Sequence, residues 1–304
     1  MNNTSIDKNT CIRLGVGLLL VAVLVYYFNN RIEMFGNYKA SCNYLPKAVQ
    51  NALDTRKMKK VSDDSWDYYL PCGYTRCESN VLAFKSEKTG KKIFMIDGCD
   101  WIASKVGLWR LIRREFGKYA HFIMPETFIL SSKKDKKRFK KFYMKKKEEN
   151  KDCKFILKNF RQRQEGLKLA NDLKTIFNSV GDGFKLVQDF LENPYTVSGR
   201  KVNLRYYLLI TCHRGEIKGY IYRDGFVYYT PKLFRKNSMD FKETITTGYI
   251  DRKVYEENPL TTQDFRDHLG PIKAKKFDDD VRVKMKGIMK ALSKEICSNK
   301  KLDH

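Results

Sequence analysis

The feature of this sequence that most constrains its folding is a long apolar run near the N-terminus, residues 14–28, which reads LGVGLLLVAVLVYYF. Two asparagines extend the run without adding charge. A helix of about 20 apolar residues crosses a bilayer, and the run approaches that length. Its Tyr-Tyr-Phe end has the residue types of an interfacial aromatic belt. We therefore predict one transmembrane helix over residues 14–30.

The alternative for this run is a cleaved signal peptide, but no small-x-small cleavage pattern follows it. Basic residues are more numerous after the run than before it, where only Lys8 and Arg13 are found. The positive-inside rule then predicts a single-pass membrane protein whose C-terminal part is cytosolic. The predicted divisions are a short tail, the anchor, a tether and a folded domain: 1–13, 14–30, 31–80 and 81–304.

The chain also carries a large positive charge, with 60 Lys and Arg against 35 Asp and Glu, a formal net charge of +25. Such a field attracts polyanions, so the candidate partners are an acidic protein, anionic lipid or nucleic acid. Residues 133–154 concentrate the excess and place aromatic residues among the lysines. This run fits either a solvated helix with an aromatic core side or a docking face. No signature of a nucleic-acid module accompanies it, which makes nucleic acid an unlikely partner.

The cysteine pattern concerns redox state and metal binding. Eight cysteines are spread over the chain, a distribution typical of reduced thiols in a cytosolic setting. Cys72 and Cys77 lie close together but lack a second cysteine or histidine pair at zinc-binding spacing. The sequence therefore predicts no metal site.

Helical spacing of apolar residues predicts helices at 101–116 and from Val281 to Ile296, and a further helix is expected around 44–60. Three aspartates, 278–280, precede the last of these patterns. We interpret them as negative charges at the N-terminus of that helix.

Strand patterns dominate the middle of the chain. Short apolar segments at 154–158 and 185–191 predict two buried strands. Alternation from Val202 to Ile210 predicts one strand with Asn203 and Arg205 on the same face. A turn at 213–216 and the pair Asp224-Gly225 predict that the strands which follow form hairpins.

Three basic residues in this region indicate a polar site. Lys158 ends a predicted strand and precedes a basic loop, Asn159 to Gly166, that can close over phosphates. An exposed strand end is the commoner situation for any single lysine. Arg205 lies within an apolar strand, where an arginine must be paired or serve a polar site. Arg223 is either a second anion clamp or an ordinary exposed turn residue.

Four stretches occur in order: FILKNFRQRQEGLKL, LVQDFLENPYTVSGRKVNLRYYLLIT, GYIYRDGFVYYTP and ITTGYIDRKVYEENPLT. Together they resemble the tubulin–tyrosine ligase-like family over roughly residues 94–298. The resemblance implies an α+β, ATP-grasp-like, two-lobed domain with ATP between the lobes. It implies activation of a carboxylate as an acyl phosphate, which an amino group attacks. The Gln-Arg-x-x-Gly loop is similar to that of viral versions of the family, which suggests a large DNA virus as the source.

The resemblance also assigns roles at the nucleotide. Lys158 matches the strand lysine that binds the phosphates, and Gly166 is the glycine of the phosphate loop. Gln188 and the backbone at Phe190 and Leu191 match the hinge that holds the adenine.

For the reacting groups, Arg205 and Arg223 match arginines that stabilise the transferred phosphate and the amino-acid carboxylate. Thr247 and Lys253 fall in the stretch that closes over the active site. The chain departs from the family at Asn203, which replaces an aspartate.

The family holds Mg²⁺ through an aspartate and a Glu-x-Asn pair in C-terminal strands, and we expect this C-terminal end to be missing here. The predicted function is an ATP-dependent ligase that joins an amino acid to an acidic protein such as tubulin. The alternative is a catalytically inactive, membrane-anchored module that binds acidic proteins or anionic lipid.

Overall fold

The computed structural model describes residues 36–71, 91–96, 104–159, 166–246 and 251–297. These residues belong to two compact units, divided after Ile96. The predicted anchor at 14–30 lies outside the described residues. Within the described part of the chain, no helix combines the length and the apolar character needed to cross a membrane.

The first unit is a small parallel sheet with one helix. Its strands follow the order β2-β1-β3-β4, and each neighbouring pair is parallel. Tyr38, Leu53 and Leu70 form one buried cluster, and Trp66 and Ile93 belong to another. The elements are β1 (Asn37–Ala40), α1 (Lys47–Thr55), β2 (Lys59–Lys60), β3 (Tyr68–Leu70) and β4 (Lys92–Ile93).

The tether predicted at 31–80 is thus wrong over residues 36–71, which are folded, although the helix expected around 44–60 is confirmed as α1. The strands here have two to four residues. Segments so short carry too few positions for an alternating pattern to be recognised.

The second unit contains a four-stranded antiparallel sheet in the order β5-β8-β6-β7. It confirms the strands predicted at 154–158 and 185–191. The strands are β5 (Thr127–Ile129), β6 (Phe155–Lys158), β7 (Leu167–Ala170) and β8 (Leu186–Asp189). Two helices pack against this sheet: α3 (Lys133–Glu149) and α4 (Leu173–Asn178).

Helix α3 covers one face of the four-stranded sheet. Phe139 of the helix is fully buried in a cluster with Phe155 and Leu157 of β6. Ile156 and Lys158, the alternate residues of β6, point to the other face. The aromatic side of the basic run therefore meets the core, as one of its two interpretations requires, and its lysines remain at the surface except Lys154, which is buried.

The other strands of this unit form a three-stranded sheet and a hairpin. The sheet has the order β13-β10-β9, and β11 pairs only with β12. The strands are β9 (Thr196–Val197), β10 (Arg200–Arg205), β11 (Leu208–His213), β12 (Glu216–Ile221) and β13 (Phe226–Tyr229). The hairpin predicted at the 213–216 turn is confirmed.

Two strand predictions are wrong. The single strand expected from Val202 to Ile210 is divided between β10 and β11, because the chain leaves one sheet for the other at Tyr206. The strand after Gly225 pairs with β10 instead of β12. A Cβ atom at Gly225 would lie 2.0 Å from the Arg205 carbonyl oxygen, so glycine is needed where the chain returns to β10.

The remaining helices are α2 (Lys105–Phe116), a 3₁₀ helix (Gly117–Phe122), α5 (Phe241–Thr244), α6 (Val254–Glu257) and α7 (Thr262–Leu292). Helix α2 confirms the helix predicted at 101–116 over its described part, and Gly117 ends it with a φ of 54°. Helix α7 begins well before the predicted stripe and is broken at Gly270, where φ is 72°.

The three aspartates 278–280 therefore lie inside α7, and their interpretation as N-terminal helix charges is wrong. Asp278 accepts a hydrogen bond from Arg266 Nε at 2.9 Å, which bridges the two segments of the helix. Asp280 pairs with Lys276 at 3.3 Å, one helical turn away.

The expectation that the cysteines are all reduced is also wrong. Cys212 in β11 and Cys297 after α7 form a disulfide, with Cα atoms 5.7 Å apart. The two residues are 85 positions apart, so their proximity follows from the packing of α7 and carries no local sequence signal. Cys153 is a free, buried thiol.

Candidate functional site

A cavity of about 570 Å³ lies on the face of the four-stranded sheet opposite α3. Strand β10 of the three-stranded sheet supplies its other wall, within the same compact unit. One side of the cavity is apolar, formed by Ile156, Leu167, Phe190 and Ile245. The other side is basic. The combination suits a ligand with an apolar ring at one end and negative charge at the other.

Lys158 is the lysine at the centre of the basic side. Its Nζ donates a hydrogen bond to Gln188 Oε1 at 2.6 Å. The amide of Gln188 in turn donates to Thr127 Oγ1 at 2.8 Å, which fixes its orientation. Burial, and then repulsion from Lys105, lowers the pKa of Lys158 to about 8. The side chain of Gln188 therefore orients the ammonium group of Lys158.

Lys201 is a second half-buried lysine of the cavity, and the sequence analysis did not identify it. Its Nζ lies 4.2 Å from the centroid of the Phe190 ring. Burial, followed by repulsion from Lys154 and Lys158, lowers its pKa to about 8. The signal that would have found it is its spacing: Lys201 is two residues from Asn203, and so the two share a face of β10.

Lys105 and Asn203 complete the polar lining. Lys105, the first residue of α2, lines the cavity and donates to the Asn159 carbonyl at 3.2 Å. Asn203 donates to Thr246 Oγ1 at 3.0 Å, so the residue that replaces the family's aspartate is engaged with the segment before residue 247. Thr247 itself lies outside the described residues.

The structure brings Lys158, Gln188, Phe190 and Leu191 together at this cavity. Gly166 lies beside it in the chain, where its carbonyl accepts a hydrogen bond from the Asn159 N–H at 3.0 Å and closes the base of the intervening loop. The residues of that loop, 160–165, are outside the described part.

The structure does not bring Arg205, Arg223 or Lys253 to the cavity. Arg205, expected to be paired or to serve a polar site, is exposed where β10 ends, and its guanidinium lies 4.9 Å from the centroid of the Tyr228 ring. Arg223 lines a separate hollow of about 420 Å³ together with Arg266. Lys253 is exposed at the start of α6.

The fit of ATP and of Mg²⁺ to these residues differs. Lysines and an apolar wall suit a triphosphate and an adenine ring. The lining contains one carboxylate, Asp189, which pairs with Lys146 at 3.0 Å and whose pKa is raised by burial. The described residues include no group of three or more histidine, cysteine, aspartate or glutamate side chains that could hold a metal ion.

A mixed α+β unit with half-buried lysines around an apolar-walled cavity defines a protein suited to bind a phosphorylated ligand. The sequence model of the tubulin-tyrosine ligase family matches residues 84–259 of this chain. That match covers more than half of the chain, which therefore belongs to the tubulin-tyrosine ligase family. The family resemblance inferred from the four motifs is confirmed, and ligases of this family in general use ATP and Mg²⁺.

Individual relatives match over shorter stretches. The probable tubulin polyglutamylase TTLL9 of Bos taurus is 38% identical over 69 residues, which cover 23% of this chain and 15% of the relative. The proteins of the same description from Mus musculus and Rattus norvegicus are 38% identical over 55 residues, 18% of this chain and 12% of each relative. The matched stretch thus spans well under a quarter of the length of these curated relatives.

Proposed function

We propose that this chain is an ATP-dependent ligase that joins an amino acid to an acidic protein such as tubulin through an acyl-phosphate intermediate, in an ATP-grasp-like domain. The observation that carries the proposal is the pair of half-buried lysines, Lys158 and Lys201, that line a cavity with an apolar wall. Membership of the tubulin-tyrosine ligase family and similarity to probable tubulin polyglutamylases support the reaction class.

In this proposal the lysines bind the phosphates. Partial burial and mutual repulsion lower the pKa of Lys158 and Lys201 to about 8. An anion between them offsets both effects and raises these pKa values again. The hydrogen bond from Lys158 to Gln188 keeps its ammonium group in place before the ligand arrives.

The apolar wall and the chain after β8 position the base. Ile156, Leu167 and Ile245 contact one face of a ring placed in the cavity, and the backbone of Phe190 and Leu191 offers polar groups at its edge. Bound ATP supplies the phosphoryl group that activates a carboxylate. The protein excludes water from that end of the cavity and holds the nucleotide in one orientation.

We also propose that Arg205 acts on the acceptor side of the site. It shares a face of β10 with Lys201 and Asn203, and four residues of a strand extend about 13 Å. In this proposal Arg205 lies beyond the phosphates and binds the carboxylate of the incoming amino acid. Its exposed guanidinium is free to form a bidentate contact with that carboxylate.

The test of the proposal is nucleotide binding together with turnover. Full-length protein is titrated with a fluorescent ATP analogue and then assayed for incorporation of glutamate or tyrosine into tubulin. We expect binding and incorporation, both lost in Lys201→Met and retained in Lys174→Met, an exposed lysine on α4. The alternative, an inactive module that binds acidic proteins or anionic lipid, requires that wild type incorporates nothing.

We further propose that residues 14–30 anchor the protein in a membrane, with the folded units on the cytosolic side. The uncharged run and the basic residues after it support this topology. Protease added outside sealed vesicles with their cytosolic face outward should digest the folded units. Complete protection of these units would rule the topology out.

A further inference from the structure

A second basic site lies between α2 and α3, outside the nucleotide cavity. It is a hollow of about 330 Å³, here called the α2–α3 hollow. Five cations and one acid contribute to its lining: Arg110, Arg113, Arg114, Lys134, Arg138 and Asp135. This concentration of positive charge has no part in the proposed binding of ATP.

The helical spacing places these cations on facing stripes. Arg110, Arg113 and Arg114 are related by i, i+3 and i+4 on α2, and Lys134 and Arg138 by i and i+4 on α3. Residues with these spacings lie on one face of a helix. The hollow is therefore a groove with arginines on one wall and a lysine and an arginine on the other.

Two carboxylates hold part of this charge in fixed positions. Glu126 Oε1 accepts a hydrogen bond from Arg138 Nη2 at 2.7 Å and lies 3.8 Å from Arg113 Nη1. Asp135 Oδ1 accepts from Arg138 Nη1 at 2.8 Å, and its other oxygen accepts from the Ile129 N–H at 2.9 Å. The two arginines are thus positioned before any ligand binds.

The other cations are available to a ligand. Arg110 and Lys134 are exposed, and neither forms an ion pair with another described residue. Arg114 forms an exposed ion pair with Glu295, which is weak in water. The groove therefore has a net positive charge that its own acids do not neutralise.

We infer that the α2–α3 hollow is a docking site for an acidic polypeptide segment rich in glutamate or aspartate. Guanidinium groups bind carboxylates in a bidentate geometry, and successive carboxylates along a peptide match cations arranged along a groove. Single-stranded nucleic acid needs exposed rings for base stacking. The ring that lines this hollow, Trp109, is only 1% exposed, which favours the peptide.

The position of the hollow relates it to the nucleotide cavity. Lys105, in the first turn of α2, lines the cavity, and Arg113 lies eight residues further along the same helix. At 1.5 Å per residue the separation along the helix axis is about 12 Å. An extended peptide covers that distance with about four residues. A peptide docked in the hollow would therefore have a neighbouring residue near the cavity. The functional importance of this link rests on the proposed ligase function.

The experiment measures peptide binding without nucleotide or turnover. A fluorescein-labelled deca-glutamate peptide is titrated with full-length protein in nonionic detergent, and anisotropy gives Kd. Arg110→Glu combined with Lys134→Glu is compared with Lys273→Glu combined with Lys275→Glu, two exposed lysines on α7 that change the net charge equally. We expect the first pair to weaken binding at least about tenfold and the second less than about threefold, since distant exposed charges are screened.

Equal weakening by both pairs would show that only net charge matters, and would overturn the site. Tight, hollow-dependent binding of an oligouridylate without binding of the peptide would assign the site to nucleic acid instead. Arg110→Gln with Lys134→Gln serves as the milder variant, and a thermal melt of each protein checks folding. ATP-analogue binding on the same samples separates failure of this inference from failure of the proposed function.

Discussion

The nucleotide cavity and the α2–α3 hollow hold similar side chains in different surroundings. Lys158 and Lys201 are half-buried, and partial burial together with repulsion from other lysines lowers their pKa values to about 8. Arg110 and Lys134 are exposed to solvent. Partial burial makes the first pair costly without an anion and therefore selective for a compact, highly charged ligand. Arg110 and Lys134 remain hydrated, so their charges carry little desolvation penalty. Their interactions are screened by salt, which suits a flexible polyanion.

The largest expected effect concerns Lys158. Replacement by Met keeps the length of the side chain but removes the charge, and ATP affinity should fall at least about tenfold, or about 1.4 kcal/mol. The stability of the protein should change little, because removal of a half-buried cation offsets the loss of its hydrogen bond to Gln188. Fluorescent-nucleotide titration and thermal melting measure the two quantities. Unchanged ATP affinity in this variant would show that Lys158 does not bind the nucleotide, and the proposed difference between the cavity and the hollow would be lost.

The pH dependence of ATP binding sharpens the comparison further. A bound phosphate raises the lowered pKa values of Lys158 and Lys201, so complex formation takes up protons between about pH 8 and the bound-state pKa values. Affinity should fall as pH rises through this window, by up to about tenfold per pH unit for each lysine. Below pH 8 both lysines are already charged and this dependence should disappear. Calorimetry in buffers of different ionisation enthalpy counts the protons directly, and absence of uptake at pH 9 would refute the assignment.

Ionic strength should weaken ligand binding more at the hollow than at the cavity, with a smaller effect than the changes described above. Raising the ionic strength from about 0.05 to 0.3 M shortens the screening length and should weaken deca-glutamate binding at the hollow several-fold. Buried charges are screened less, so ATP affinity should change by less than about twofold. Parallel anisotropy titrations test this. An equal response of both ligands would mean that the cavity is as open to solvent as the hollow.

The smallest expected effect distinguishes two neighbouring lysines of α3. Lys146 pairs at 3.0 Å with Asp189, whose side chain is 18% exposed, whereas Lys145 is 75% exposed and lies 3.8 Å from Glu149. Lys146→Glu should lower the free energy of unfolding by about 1–3 kcal/mol, because a half-buried carboxylate loses its partner. Lys145→Glu should change it by less than about 0.5 kcal/mol. Urea denaturation of both variants provides the measurement; similar values would show that the Lys146 pair is not important for stability.

The sequence predicted the parts of the site whose signals are local. Strands β6 and β8 are apolar segments with clear limits, and Lys158 and Gln188 could be located because each belongs to such a segment. Lys201 was missed because the alternation that was recognised begins at Val202, one residue later. Arg205 was expected within an apolar strand, but β10 ends at this residue and leaves it exposed.

Long-range pairing was the other source of error. Strand β13 follows β12 in the chain but pairs with β10, and no residue of either strand encodes that choice locally. The disulfide between Cys212 and Cys297 depends in the same way on where α7 packs. Such features become predictable only when the packing of whole elements is known.

The four residues of β6 point alternately to the core of the fold and to the ligand cavity. Phe155 and Leu157 serve the packing of α3, and Ile156 and Lys158 serve the cavity. A deletion or insertion of one residue at the start of this strand would exchange the two sets. Lys158 would then point into the aromatic cluster, and Phe155 would point into the cavity. Changes in length within β6 therefore cannot alter ligand recognition gradually, and diversification of this site is restricted to substitutions that preserve the register.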